Sequence, residues 1–199
     1  LVLPTYFVRL ISLRVLVTGG AGFVGSHVAD YFASCGNEVV VFDNFSRSRL
    51  LGKSLGRADH NWEYLKTRYR NIKLVKRDVT IAKPLEKAMV GCDTVIHTAA
   101  QVAVTSSVLN PRQDFRVNAL GTFNVLESAR RNDCSVIYCS TNKVYGGNVN
   151  RIAVAEKETR YVLNDPDFLA GIPECFPIDL SGHSPYGCSK TAADFYVQD

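Results

Sequence analysis

The chain has 199 residues, of which 46% are hydrophobic, 21% charged and 10% aromatic, with a formal net charge of +4. That length suits one domain, and a chain this apolar and this weakly charged buries enough surface to offset ordering its backbone, which excludes intrinsic disorder. Arg9 and Arg14 interrupt the apolar opening before it reaches transmembrane length, so no membrane span is expected.

The opening lacks the basic start and small-residue cleavage site of a secretory signal, and the six cysteines form no CxxC pair. Both features point to a cytoplasmic protein with reduced thiols. The four histidines have no metal-ligand spacing with one another or with the cysteines, so no metal is expected. Residues 47–77 hold ten Lys or Arg against Asp59 and Glu63, a local charge of +8 that leaves −4 elsewhere. Clustered positive charge attracts phosphate backbones, but no aromatic stacking platform accompanies it, so the expectation is a solvated helix face and no nucleic-acid partner.

In chain order, residues 1–13 stand as an additional segment ahead of the first strand, RVLVT at 14–18, a short β-branched run of the kind buried on both sheet faces. It leads into glycines at 19, 22 and 25 and an amphipathic helix over 22–34. Gly19 permits the tight turn, Gly22 lets a pyrophosphate approach the backbone, and Gly25 lets the helix pack closely on the strand. Free amides at the helix start then bind the anion. A second strand over 38–43 ends in Asp43, twenty-four positions after Gly19, where a carboxylate accepts hydrogen bonds from both ribose hydroxyls of an adenosine. NAD is therefore the expected cofactor. The 2′-phosphate of NADP would meet that carboxylate as a like charge, with Arg47 as partial compensation.

A helix within 50–70, a strand over 72–76, a helix over 82–90, a strand over 94–97, a helix over 111–131 and a strand over 135–140 continue the alternation. Asn110 and Pro111 open the long helix, and Phe115, Leu120, Phe123, Val125 and Leu126 read as the stripe that covers the sheet. Residues 145–186 read as a long functional loop without regular elements, and a last helix starts at 184. The pattern predicts an α/β fold with a Rossmann-like, doubly wound parallel sheet.

Four segments in order, TGGAGFVG, HTAAQVAV, CSTNKVYG and HSPYGCSK, resemble the extended short-chain dehydrogenase/reductase family of nucleotide-sugar enzymes, and the likeness spans nearly all of 14–199. It implies an NAD-binding Rossmann domain over 14–199. Family members continue into a C-terminal substrate region, and TAADFYVQD ends in mid-helix without a capping signal, so the domain is expected to be incomplete there. The resemblance implies a cofactor set of Gly19, Gly22, Phe23, Val24, Gly25, Asp43, Asn44, Ser46 and Arg47, with Asp78 and Val79 flanking the adenine. Ala99, Ala100 and Gln101 would lie on the nicotinamide side, with Asn118 beside that loop, and the long helices would mediate a homo-oligomer.

Tyr186 and Lys190 are four apart, which on a helix places them on one face about 6 Å apart along the axis. A phenol is a usable base as its anion, and a neighbouring ammonium favours that anion. Thr141 matches the family's Ser/Thr position, able to hydrogen-bond a sugar hydroxyl or its developing oxyanion. The implied catalytic residues are Thr141, Tyr186 and Lys190, with Tyr186 and Lys190 also at the cofactor. Gln101, Thr141, Asn142 and Tyr186 are the implied substrate contacts. STNKVYGG, ETRY and SPYGCSKTAAD look most like the branch that inverts carbon 2 of a CDP-linked dideoxyhexose through a transient ketone. Related 4,6-dehydratases carry an Asp-Glu pair directly after the threonine; here those positions are Asn142 and Lys143, and an amide is no acid for a departing hydroxyl. A 4-epimerase passes the same test. A noncatalytic dinucleotide-binding module is the other class of reading, and the complete Thr141, Tyr186 and Lys190 set argues against it.

Overall fold

The computed structural model describes residues 12–46 and 58–199. Arg47, part of the basic segment and most of the additional N-terminal segment lie outside the described residues. Five aliphatic runs form strands: β1 (Arg14–Thr18), β2 (Glu38–Asp43), β3 (Ile72–Lys76), β4 (Thr94–His97) and β5 (Ser135–Tyr138). They pair in parallel in the order β3-β2-β1-β4-β5, with Val15 opposite Val39 and Thr94, and Val17 opposite Val41 and Ile96. Four strands have the ends expected from sequence. β5 stops at Tyr138 rather than at residue 140, because its partner β4 ends at His97 and the last ladder bond runs from Cys139 N to His97 O (3.2 Å).

Parallel neighbours need crossovers, here α1 (Phe23–Ser34), α2 (Ala58–Arg68), α3 (Ala82–Met89) and a broken helical passage between β4 and β5. Side chains alternate faces along each strand. Leu16, Val40, Phe42 and Val95 meet Leu85 and Met89 of α3 on one face, while Val15, Val17, Val39, Val41 and Ile96 meet Ala29, Ala33 and Leu65 on the other. Each fully buried side chain of this size contributes about 2 kcal/mol of transfer free energy. The result is the doubly wound sheet expected from sequence.

The passage from β4 to β5 differs from the single helix expected. An additional helix, α4 (Val104–Leu109), comes first. Then α5 (Pro111–Phe115), capped by the Asn110 side chain accepting from Gln113 N (3.1 Å), runs into a π-helical turn over Arg116–Leu120 before α6 (Gly121–Arg131). The wider turn shifts the helix phase. Asn118, Ala119, Thr122 and Val125 face inward, whereas Phe115, Leu120 and Phe123 of the expected stripe are exposed. Residues 145–186, expected to lack regular structure, hold the end of a 3₁₀ segment (Asn142–Arg151), a short antiparallel hairpin of β6 (Val154–Glu156) and β7 (Tyr161–Leu163), and a 3₁₀ turn (Pro166–Phe168). The last helix, α7 (Pro185–Gln198), starts as expected, with Ser184 accepting from Gly187 N (3.1 Å) and Pro185 in its first turn. Among the described residues no helix is long and apolar enough to cross a membrane.

Candidate active site

The chain leaves β1 toward β2 but resumes from β3 at β4, on the other side of β1, so a crevice opens at the carboxyl ends of the central strands. A cavity of about 370 Å³ occupies it. Gly19, Gly22, Phe23, Val24, Asp43, Asn44, Ser46, Val79, Ala99 and Ala100 line it, all expected from sequence, together with Phe42, Arg77, Thr98, Val102 and Val117. Gly19 takes a left-handed φ of 70° and donates to Phe42 O (2.8 Å), and Gly22 N closes the turn onto Gly19 O (2.9 Å). Gly25 lies behind the wall as a packing residue, where a Cβ would sit 2.3 Å from Gly19 O. α1 starts without a capping side chain and without an acid in its first turn, which leaves its leading amides for an anion.

Asp43 does more than the sequence suggested. Its Oδ2 accepts from Ala21 N (3.0 Å) and its Oδ1 from Phe45 N (2.7 Å), so the carboxylate also ties the glycine turn to the end of β2. Burial pushes its pKa up, against the backbone donors Phe45, Ala21 and Asn44. Each carboxylate oxygen keeps a second lone pair for a ribose hydroxyl. Asp78 stands behind the wall and accepts from Asn44 Nδ2 (2.6 Å).

Gln101, expected as a cofactor and substrate contact, stands between two residues of the cleft wall, Ala100 and Val102, and turns its side chain into the protein. Its Nε2 donates to Ala103 O and Asp114 Oδ1 (both 2.9 Å), and its Oε1 accepts from Ala103 N (2.6 Å), so the side chain is spent inside the protein. Asn118 lies beside that loop as expected, its Oδ1 accepting from Gln101 N (2.8 Å).

Tyr186 and Lys190 share the inner face of α7, 7% and 3% exposed. Tyr186 N donates to Ser107 Oγ (3.1 Å) on α4. Lys190 Nζ donates to Cys139 O (2.8 Å) and sits 4.1 Å from the centroid of the Tyr138 ring. That bond seats α7 on the end of β5, two residues before Thr141. Thr141 and Asn142 open onto a second cavity, of about 820 Å³, shared with Ser140, Tyr145, Asp194 and Phe195.

The Tyr138 ring also stacks on His97, with centroids 5.8 Å apart. Thr122 Oγ1 spends its hydrogen on Asn118 O (2.6 Å), so His97 Nε2 donates to Thr122 Oγ1 (3.0 Å) and Nδ1 accepts from Thr18 Oγ1 (2.6 Å). Burial keeps this imidazole neutral, with its pKa down at about 3. His97 is the strand-end core histidine expected from sequence. Sequence reasoning missed Tyr138 and Ser107; the only signal for them was position, one ending β5 and one inside an unexpected helix.

Desolvation lowers the pKa of Lys190 from 10.5 to about 8. The unfolded chain therefore holds this proton more tightly, and between pH 8 and 10.5 the residue's contribution to stability rises with pH. Lys190→Met is expected to be more stable than wild type at pH 7 by about 2 kcal/mol, after loss of the cation–π and hydrogen-bond contacts, since each unit corresponds to about 1.4 kcal/mol. Denaturant titrations should show the difference shrinking toward pH 10.5; a constant difference contradicts the assignment.

Residues 16–199 match the GDP-mannose 4,6 dehydratase family. The chain belongs to this family. CDP-paratose 2-epimerase of Salmonella typhi is 41% identical over 194 residues, covering 94% of this chain and 52% of the relative. A putative UDP-glucose 4-epimerase of Methanocaldococcus jannaschii is 31% identical over 185 residues, covering 92% and 50%. The crystal structure of Thermus thermophilus UDP-glucose 4-epimerase in complex with NAD has a TM-score of 0.65 at 29% identity, over 94% of this chain and 50% of that one. The chain thus spans about half the length of these relatives. Because the names of a GDP-mannose 4,6 dehydratase family and its relatives cover both dehydration and epimerisation, membership leaves the reaction to the residues at the site.

Proposed function

We propose that the chain holds NAD in the glycine-turn cleft and is the cofactor-binding part of an epimerase that inverts carbon 2 of a CDP-linked dideoxyhexose, turning CDP-paratose into CDP-tyvelose. The observation that carries the reading is the bond from Lys190 to Cys139 O, which brings the Tyr186–Lys190 face of α7 to the strand end that bears Thr141. The 41% identity to the Salmonella typhi enzyme supports the choice of substrate. The site suits a dinucleotide: a Cβ on Gly19 would close to 2.7 Å of Ala99 N across the cleft, α1 presents uncapped amides to a pyrophosphate, and Asp43 retains lone pairs for a ribose.

When bound, NAD supplies the capacity to take a hydride from carbon 2 and to give it back. Tyr186 Oη takes the proton of the carbon-2 hydroxyl. Lys190, bonded to Cys139 O, holds that face of α7 on the strand end, and Thr141 Oγ1 donates to the oxygen as it becomes a carbonyl. A carbonyl carbon is planar, so presenting its opposite face inverts the centre when hydrogen returns. Tyr186 then gives the proton back to oxygen. Asn142 and Lys143 supply no acid for a leaving hydroxyl, which disfavours dehydration.

The test is incubation of the protein carrying this sequence with NAD and either CDP-paratose or UDP-glucose. CDP-tyvelose should form, with no inversion at carbon 4 of the UDP-sugar. Turnover of the UDP-sugar alone would move the assignment to a 4-epimerase.

A further inference from the structure

Between the cleft and α7 lies a buried polar cluster to which the reaction above gives no work. Asp114 is 1% exposed, and its Oδ1 accepts from Gln101 Nε2 (2.9 Å) and Asn118 Nδ2 (3.1 Å). Its Oδ2 accepts from Ser189 Oγ (2.5 Å), the residue directly before Lys190. Asn118 Nδ2 also reaches Ser189 Oγ (3.1 Å) and Gln101 O (3.0 Å). The cluster thus joins four elements: the loop whose neighbours Ala100 and Val102 line the cleft, α5 with Asp114, the π-helical turn with Asn118, and the helix that carries Tyr186 and Lys190.

A buried carboxylate is costly unless it is hydrogen-bonded, and amide and hydroxyl groups alone would have given the same cohesion at less cost. We propose that Asp114 is a positioning residue that fixes the loop at 99–103 and the Tyr186–Lys190 face of α7 in one register, and so sets where the nicotinamide end of the cofactor rests. Its distinctive property is reach in two directions. One oxygen holds the cleft loop through Gln101, and the other holds the catalytic helix through Ser189. The buried Lys190 ammonium nearby gives the carboxylate a counter-charge. This inference rests on the proposed NAD site, and it assigns Asp114 no contact with cofactor or substrate.

The test separates the two ends of the dinucleotide. ADP-ribose reports the adenosine and pyrophosphate end, and the emission of NADH at saturation reports the surroundings of its reduced ring. In wild type, ADP-ribose should bind and bound NADH should show enhanced emission. Asp114→Asn and, separately, Ser189→Ala should each lower that enhancement by about twofold or more, with the Kd for ADP-ribose within about twofold of wild type. The double variant should be no worse than Asp114→Asn alone. Ser189→Ala removes one hydroxyl and serves if the charge change unfolds the chain. Full enhancement in the variants, or a parallel fall in ADP-ribose affinity, overturns the proposal in favour of simple cohesion. A folded wild-type chain that binds neither ligand overturns the NAD site itself, and the proposal with it.

Discussion

Replacing Tyr186 by Phe is expected to lower conversion of the nucleotide sugar by about three orders of magnitude while leaving NAD affinity within about threefold. The ring is 7% exposed and stays in place in the variant, as does the bond from its backbone N to Ser107 Oγ. Only the phenolic oxygen is lost. Thr141 cannot replace it, because an alcohol is a poor base at neutral pH without an activating partner. Tyr161→Phe is the control: that residue is 68% exposed on the hairpin strand β7 and should behave as wild type. Steady-state turnover alongside an NAD titration checks the outcome, and loss of both activities in Tyr186→Phe would assign the residue to folding instead.

The second large effect belongs to Gly25. A Cβ there would lie 2.3 Å from Gly19 O and 2.8 Å from both Gly19 C and Gly20 Cα, all backbone atoms that have no rotamer to move. Gly25→Ala must therefore lift α1 off the turn. Overpacking of this kind costs about 3 kcal/mol, which for a chain of this size lowers Tm by about 10 °C. The lifted helix also carries its leading amides away from the cleft, so NAD affinity should fall by an order of magnitude or more. Gly36→Ala offers the comparison, because its φ of 82° is left-handed but nothing lies within 4 Å of the added carbon. Its expected cost is about 1 kcal/mol of backbone strain, with NAD affinity unchanged. Equal effects from the two substitutions, by thermal melts and ligand titration, would contradict the packing role given to Gly25.

The parts legible in the sequence share a physical cause. β1, β2 and β4 are buried on both faces, so they read as short apolar runs, and the glycine turn reads because a Cβ at Gly19 or Gly25 would press on backbone atoms. The π-helical turn leaves no comparable trace. One extra residue per turn changes which side chains face inward, and a uniform helical period therefore placed Phe115 and Phe123 in the core when they are 57% and 43% exposed. β6 and β7 are three residues each, and Val154 and Tyr161 on them are largely exposed, so neither burial nor alternation marks them. Asp114 and Asn118, four apart in a helical stretch, were a readable polar pair, but only the fold shows that Ser189 meets them. Gln101 was legible as a residue near the cleft, while the direction of its side chain was set by partners distant in sequence.

In the proposed reaction the hydrogen on carbon 2 leaves and returns as a hydride, while Tyr186 handles only the proton on oxygen. CDP-paratose deuterated at carbon 2, converted in ordinary water with NAD bound, tests this most directly. Deuterium should remain at carbon 2 of the inverted product. Replacement of that label by solvent hydrogen would show that carbon 2 is deprotonated instead, and would contradict the roles assigned to the glycine-turn cleft and to Tyr186.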